Sequence, residues 1–145
     1  MRRPWFLLLA ALAAASGCDN APVAVRAPDL QQQRAAWASH NLTRYAYVYE
    51  TTGFLSAWSG RPVRLVVING AVSSAQYVSN DSLLPDPSVF PTLDGLFDQA
   101  EAALAAGTLT AITFDSTFGF PTRMDLAGPP DASGSIVASG FELLP

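Results

Sequence analysis

The sequence predicts an α+β domain, built as an antiparallel sheet of about six strands with two helices packed on one face. The first indication is the order of the predicted elements, which is helix, strand, strand, strand and then the same order again. The second is that neighbouring strands are joined by turns too short for the crossovers of a parallel sheet. Half of the 145 residues are apolar and 14% are charged, so the chain can form a hydrophobic core.

The first predicted element is a helix. Asp29 precedes it as a candidate N-cap, because an aspartate side chain accepts hydrogen bonds from the free amides at a helix start. Leu30, Arg34 and Trp37 follow at helical spacing and share one stripe. His40, the only histidine, stands at the predicted helix end, where a cation favours the helix dipole, so we prefer a structural role for it.

Three strands are predicted after this helix. Residues 44–51 alternate strictly and are rich in strand-forming side chains. Residues 62–68 and 71–78 are two further apolar strands. Asn69-Gly70 separates them, and because both residues tolerate positive φ, the pair is typical of a tight hairpin.

The second half of the chain repeats this order. Residues 79–91 contain three prolines and are predicted to be a loop without regular structure. Thr92 caps a helix with apolar residues at helical spacing, and Gly107 ends that helix in the left-handed conformation. The remaining strands are expected at residues 109–114, 120–126 and 135–143, the last two joined by a turn at Gly128-Pro129-Pro130-Asp131.

The N-terminus has the pattern of an exported bacterial protein. Arg2-Arg3 forms a short basic start. The apolar run from Trp5 to Ala15 has 11 residues, the length of a signal-peptide core. A membrane span needs roughly 20, so the run directs export and does not anchor the chain. We therefore predict a signal peptide over residues 1–17.

The segment Ala15-Ser16-Gly17-Cys18 resembles the lipobox of bacterial lipoproteins. The resemblance implies a diacylglycerol on Cys18, a further acyl chain such as palmitate on the new amine, and anchoring in the cell envelope, facing the periplasm or exterior. Each buried methylene contributes about 0.8 kcal/mol, so two or three chains hold almost permanently. Cys18 is the only cysteine and cannot form an internal disulfide. Cleavage after Ala15 by the ordinary signal peptidase, with Cys18 unmodified, is the alternative.

The residues after the cysteine divide into a tether and a domain. Residues 18–28 are predicted to be extended, because Pro22 and Pro28 disfavour regular structure. Residues 29–145 are the right length for one globular domain. The chain is therefore expected to hold a single domain at a short distance from its membrane, either the inner or the outer one.

The charge of the chain argues against nucleic acid as a partner. Without the signal segment, six arginines and no lysine face 12 acidic residues. The arginines are scattered, whereas a phosphate track needs clustered cations. Metal-ligand spacings with two or more histidines or cysteines are also absent from the sequence, so no metal or cofactor is expected.

One pair of carboxylates could support catalysis. Asp115 and Asp125 flank a predicted hairpin, with Arg123 between them. Paired carboxylates can act as the acid and base of a hydrolase, provided that a cleft holds both. The alternative, which we prefer, is an Asp-Arg surface pair together with a turn-forming aspartate. We therefore predict that the protein is not an enzyme.

The tyrosines of the first strand are the candidate binding surface. Tyr45, Tyr47 and Tyr49 project from one face of the strand, and Ala46 and Val48 project from the other. If the helices cover the alanine and valine face, the tyrosines line an exposed surface suited to a protein or envelope ligand. If the helices cover the tyrosines, the rings are core. A non-enzymatic binding or structural domain is expected, and an inhibitor-like domain is not distinguished from it.

Several segments together resemble a family of uncharacterised bacterial lipoprotein domains, the domain of unknown function family 6174. The residues that carry the resemblance are Trp37 and the segments 45–49, 66–72, 92–98 and 113–122. They extend over nearly the whole chain after the signal segment. The resemblance implies the fold and the lipoprotein address, and it implies no activity.

Overall fold

Six antiparallel strands form one sheet with two helices beside it, as the order of the elements predicts. The computed structural model describes residues 25–53, 55–129 and 133–145, so the predicted signal peptide and Cys18 lie outside the described residues. The helices are α1 (Ala27–Ser39) and α2 (Leu93–Ala105), with a short 3₁₀ helix at Pro87–Val89. The strands are β1 (Arg44–Thr51), β2 (Val63–Ile68), β3 (Ala71–Tyr77), β4 (Leu109–Phe114), β5 (Pro121–Leu126) and β6 (Gly134–Leu143).

The two halves of the chain meet at the centre of the sheet. The strand order is β3-β2-β1-β6-β5-β4, so each half is a meander and the first and last strands pair with each other. In that central pair, Tyr49 lies opposite Ala138 and Thr51 lies opposite Ile136. The pairing joins strands that are far apart in the sequence, so it depends on tertiary packing and not on local turn signals.

The core lies between the sheet and the two helices. Tyr45, Tyr47 and Leu65 are almost completely buried on the helix side of the sheet. Trp37 of α1 packs edge-on against Tyr45, with the ring centroids 5.5 Å apart. Phe97 of α2 is fully buried in the same core. Burying each such apolar side chain contributes about 1.5–3 kcal/mol, so these contacts fix both helices on one face.

The predicted turns and caps are confirmed at three positions. Asn69 and Gly70 have φ of 52° and 77°, as a tight hairpin between β2 and β3 requires. The Thr92 hydroxyl accepts a hydrogen bond from the Gly95 amide at 3.1 Å and caps α2. Gly107, with φ of 71°, follows the last turn of α2 in the left-handed conformation.

Two predictions about local structure are wrong. Helix α1 begins at Ala27 with Arg26 at its N-cap, so Asp29 is not the cap and the tether is shorter than residues 18–28. Pro28 fits the first turn because its φ is already helical and no amide hydrogen is needed there. Asp29 lies within that turn, where its charge favours the helix dipole.

The second wrong prediction concerns the loop of residues 79–91. Its residues Pro87–Val89 form a 3₁₀ turn. The Asp86 carboxylate accepts a hydrogen bond from the Ser88 amide at 3.0 Å, and Pro87 occupies the first turn, so the local sequence starts a turn that proline content alone does not indicate.

A bulge in β6 changes which side of the sheet its last residues face. Gly140 has φ of 58°, and the register with β1 shifts there by one residue. Before the bulge, Ala138 faces the helices and is buried. After it, Phe141 packs in the aromatic cluster beside Trp37 and Tyr45, instead of pointing to the opposite face.

Gly119 and Gly70 allow a direct test of close packing against α1. Both glycines have positive φ, 81° and 77°. A Cβ at Gly119 would lie 3.2 Å from the backbone oxygen of Gln33 in α1, whereas a Cβ at Gly70 would meet nothing within 4 Å. We expect Gly70→Ala to lower the free energy of unfolding by about 1 kcal/mol, and Gly119→Ala to lower it by about 2 kcal/mol or more.

Urea unfolding of both variants measures this difference. Equal losses would contradict it, since they would mean that the turn at Gly119 does not press against α1.

Candidate functional site

The tyrosines expected to line an exposed surface are buried. Tyr45, Tyr47 and Tyr49 are 1%, 0% and 8% exposed, so the arrangement with an exposed tyrosine surface is wrong and the alternative, with the rings in the core, is the one observed. The physical reason is that α1 and the segment before α2 cover this face of β1, since Trp37 packs on Tyr45 and Phe90 packs edge-on against Tyr49. The three rings are therefore part of the core.

Two of the tyrosine hydroxyls hold the start of α2. The Leu93 amide donates a hydrogen bond to the Tyr45 hydroxyl oxygen at 3.1 Å. The Tyr47 hydroxyl donates to the Pro91 carbonyl. Burial raises the pKa of Tyr45 to about 12 and raises the pKa of Tyr47 well above its usual value. Both phenols therefore stay neutral at physiological pH and act as structural hydrogen-bonding groups.

Tyr49 differs from Tyr45 and Tyr47 because it lines a groove, whereas their hydroxyls bond to the segment that starts α2. We call this cavity of about 360 Å³ the Tyr49 groove. It lies between α2 and the helix side of the sheet, and it is lined by Tyr49, Thr51, Leu55, Gln99, Ala102, Leu126 and Ile136. Burial raises the pKa of the Tyr49 hydroxyl as well. The groove is thus mostly apolar, with a neutral phenol in its wall.

A cluster of hydroxyl groups lies at one end of the Tyr49 groove. The Thr51 hydroxyl lies 2.7 Å from the Ser56 hydroxyl and 3.2 Å from that of Ser59. The Trp58 amide donates to the Ser56 hydroxyl at 3.3 Å. Each hydroxyl therefore has partners within the loop after β1, and the cluster fixes that loop rather than offering a reactive group.

The side of the sheet opposite the helices carries small apolar residues among ion pairs. We call it the open sheet face and define it by Ala46, Val48, Arg64, Val66, Val137, Ser139 and Glu142. Arg64 and Glu142 form an ion pair of 2.8 Å across β1. This pair covers Ala46, which is fully buried, while Val66 and Val137 remain partly exposed.

A second ion pair lies on the same side of the sheet. Arg123 contacts Asp125 at 2.8 Å, and the Ser135 hydroxyl donates to the same carboxylate at 2.6 Å. Hydrogen bonds from Arg123 and then from Ser135 hold the pKa of the Asp125 carboxyl below its usual value. Asp125 is therefore ionised at neutral pH, and its Oδ1 oxygen bonds to both neighbours.

The structure does not bring Asp115 and Asp125 together. The Asp115 carboxylate accepts hydrogen bonds from the amides of Thr117 and Phe118, at 2.9 and 2.7 Å, and so shapes its own turn. Asp125 lies opposite Ala111, four residues before Asp115, which separates the two backbone positions by about 13 Å along the strand. The two carboxylates of a hydrolase must both act on one substrate, whereas here one bonds to the amides of its own turn and the other to Arg123 and Ser135, so this geometry does not support that pair.

His40 also makes a local contact. Its ring lies 5.2 Å from that of Phe118, in an edge-on arrangement at the C-terminal end of α1. This position agrees with the structural role preferred from the sequence. Across the described ranges, no group of three histidine, cysteine, aspartate or glutamate residues is placed to hold a metal ion.

The two neighbouring arginines of β2 and the loop before it are both engaged within the domain. Arg61 lies over the ring of Tyr77, with 3.8 Å between the guanidinium carbon and the ring centroid. Arg64 pairs with Glu142. In the part of the chain that the structure describes, no helix is both long enough and apolar enough to cross a membrane.

The comparison with known families assigns this chain. Residues 29–137 match the Family of unknown function (DUF6174), from α1 into β6. The chain belongs to this family. The DUF6174 match confirms the resemblance drawn from Trp37 and the tyrosine strand, and it carries no activity. No curated protein and no solved structure matches the chain.

The alternation in β1 predicts that the tyrosines of this DUF6174 domain share one face, but no pattern in the sequence indicates the Tyr49 groove. Gln99 and Ala102 look like ordinary surface positions of an amphipathic helix, and only the docking of α2 brings them to Tyr49. The Arg64–Glu142 pair was also missed, because it depends on β1 lying between β2 and β6.

Acid should weaken the Arg123–Asp125 pair. Because the folded-state pKa of Asp125 is lowered, its contribution to stability is present above the unfolded value near 3.8 and is lost as the pH falls through the folded value. Asp125→Asn should cost about 1 kcal/mol or less at neutral pH, as expected for a half-exposed pair. The free energy of unfolding of Asp125→Asn should also fall less between neutral and acidic pH than that of the unaltered protein.

Urea unfolding at neutral pH and over a series of acidic pH values tests this. The variant Arg123→Gln should show the same loss at neutral pH, and the double variant should lose no more than either single one. Additive losses would show that the two side chains do not stabilise each other.

Proposed function

We propose that this protein is a bacterial envelope lipoprotein, with lipid on Cys18 and a non-enzymatic binding domain behind it. The observation that carries the proposal is the segment Ala15-Ser16-Gly17-Cys18, which follows a basic start and an apolar run of signal-peptide length. The sulfur of Cys18 belongs to the only cysteine in the chain. Lipid attachment gives that lone thiol a function that an internal disulfide cannot.

The start of the folded domain suits a short tether. Val25, the first described residue, already packs against the core, and α1 begins two residues later. The six residues from 19 to 24 would reach about 19 Å at the roughly 3.1 Å per residue of a fully extended chain. This distance keeps the domain close to the membrane surface, so a partner would lie in the same membrane or just above it.

The binding role rests on the open sheet face. Val66 and Val137 are partly exposed there, and the ion pairs Arg64–Glu142 and Arg123–Asp125 lie on the same side. Apolar side chains within a polar surround are typical of surfaces that bind proteins. A protein of the envelope is the partner that we propose, and the acidic balance of the chain favours this over a nucleic acid.

A non-catalytic role is supported by the use of the candidate catalytic residues in local structure. Asp115 shapes a turn, Asp125 is held by Arg123, and His40 packs on Phe118. None of these contacts places a nucleophile beside a base, which acyl transfer and hydrolysis need.

Lipid attachment is tested by labelling cells with a traceable palmitate. The full chain should incorporate the label, and Cys18→Ser should lose it completely, because the thioether needs the sulfur. Ser16→Ala is the matched control, since it keeps a small residue in the segment and should keep the label. Label that persists in Cys18→Ser, or a mature protein that begins before Cys18, would overturn the proposal.

The open sheet face is tested by photo-crosslinking in cells. A photoreactive amino acid at Ser139, which is exposed and lies opposite Val48, should give a discrete adduct with an envelope protein. The same group at Gln32, exposed on α1, is the control and should give none. Adducts from Gln32 alone, or equal adducts from both positions, would contradict binding through this face.

A further inference from the structure

The hydroxyl of Tyr49 is the exception among three tyrosines on one face. Tyr45 and Tyr47 each form a hydrogen bond with the segment that starts α2. Among the residues that the structure describes, no hydrogen-bond partner is found for the Tyr49 hydroxyl, although Tyr49 is only 8% exposed. Polar groups with this little exposure are nearly always paired with a protein group or with water, so this hydroxyl is free to bond to water or to a ligand.

The Tyr49 groove supplies the contact with solvent. Within the described ranges, every side-chain nitrogen or oxygen that is fully buried has a partner. The Tyr49 hydroxyl is therefore not a fully buried unpaired group, and the cavity that Tyr49 lines is the route by which we infer that it meets water. A molecule that enters the groove displaces this water and must offer a hydrogen-bond acceptor in its place.

The other residues that line the Tyr49 groove indicate the chemistry of the part of the ligand that does not bond to Tyr49. Leu55, Leu126 and Ile136 make the groove mostly apolar, and its described lining contains no charged side chain. A charged ligand would therefore lose its hydration without gaining a counter-ion. At about 360 Å³ the cavity lies near the lower end of the range of small-molecule sites, roughly 300–1,000 Å³.

We propose that the Tyr49 groove binds a small uncharged molecule with an aliphatic chain and a carbonyl oxygen, such as an aliphatic ester or amide. The chain lies on Leu126 and Ile136, and the Tyr49 hydroxyl donates a hydrogen bond to the carbonyl. Because burial raises the pKa of Tyr49, the phenol remains protonated and able to donate at neutral pH. The groove lies on the helix side of the sheet, so this site is independent of the open sheet face.

Binding is tested by titrating the full chain with methyl hexanoate and following backbone amide shifts by nuclear magnetic resonance. The shifts should concentrate at Gln99, Ala102 and Leu126. Hexanoate, which has the same chain and a negative charge, is the matched ligand control and should bind at least tenfold more weakly. Equal binding of the two ligands, or shifts confined to other parts of the domain, would overturn the proposal.

Two tyrosine variants separate the hydroxyl of the groove from those of the core. Tyr49→Phe removes only the proposed donor and should weaken methyl hexanoate binding about fivefold, as the loss of one hydrogen bond does. Tyr47→Phe removes the neighbouring hydroxyl, which bonds to Pro91 outside the groove, and should leave the affinity unchanged while lowering stability. Unchanged affinity in Tyr49→Phe would overturn the assigned contact.

A third variant fills the cavity without touching the core. Ala102 is exposed on α2 and lines the groove, so Ala102→Leu should keep the fold and abolish binding of the ester. Undiminished ester binding by this variant would overturn the site. An uncharged peptide that binds the groove while the ester does not would also overturn the proposal, in favour of a peptide-docking groove.

Discussion

The tyrosine face of β1 is the constraint on which the rest of this structure depends. Tyr45 and Tyr47 bury their rings under the helices and use their hydroxyls to hold the segment from Pro91 to Leu93, where α2 begins. The Trp37 indole nitrogen donates to Asp94 at 3.2 Å, so α1 is tied to the same turn of α2. Because each hydroxyl forms a hydrogen bond that offsets the cost of its desolvation, the two rings can lie in the core without leaving a polar atom unpaired.

Burial of the tyrosine face also decides which residues of β1 lie on the other side of the sheet. Once the tyrosine face is covered, the alternating residues Val48 and Val66 must lie on the other side, and that side becomes the open sheet face. The last tyrosine of the row, Tyr49, lies beyond the start of α2 and borders a groove instead of a capping segment. One strand therefore contributes to a core, to an open surface and to a cavity, according to the position and face of each residue.

The aspartates that the sequence marks as candidates for catalysis form local hydrogen bonds and ion pairs instead. Asp115 closes its own turn and Asp125 is paired with Arg123, and their backbone positions lie four residues apart along the strand pair. Ion pairs with this degree of exposure each contribute little to the free energy of unfolding. They affect the charge pattern of the surface more than the stability of the fold. In this DUF6174 domain both aspartates therefore contribute to local structure.

Local sequence patterns are sufficient to predict the helices, strands and turns, because each pattern depends only on nearby residues. Alternation in residues 44–51, the Asn69-Gly70 pair and the Thr92 cap each depend on neighbours a few residues away, and the structure has them where the pattern puts them. The segment ending at Cys18 belongs with these local signals, although it lies outside the described residues.

Three features follow only from packing between distant segments. These are the burial of the tyrosine face of β1 and the pairing of β1 with β6. The third is the position of Phe141 on the helix side after the bulge at Gly140. Each of these depends on contacts between segments far apart in the chain, which a periodic pattern leaves open because alternation marks two faces without saying which one the helices cover.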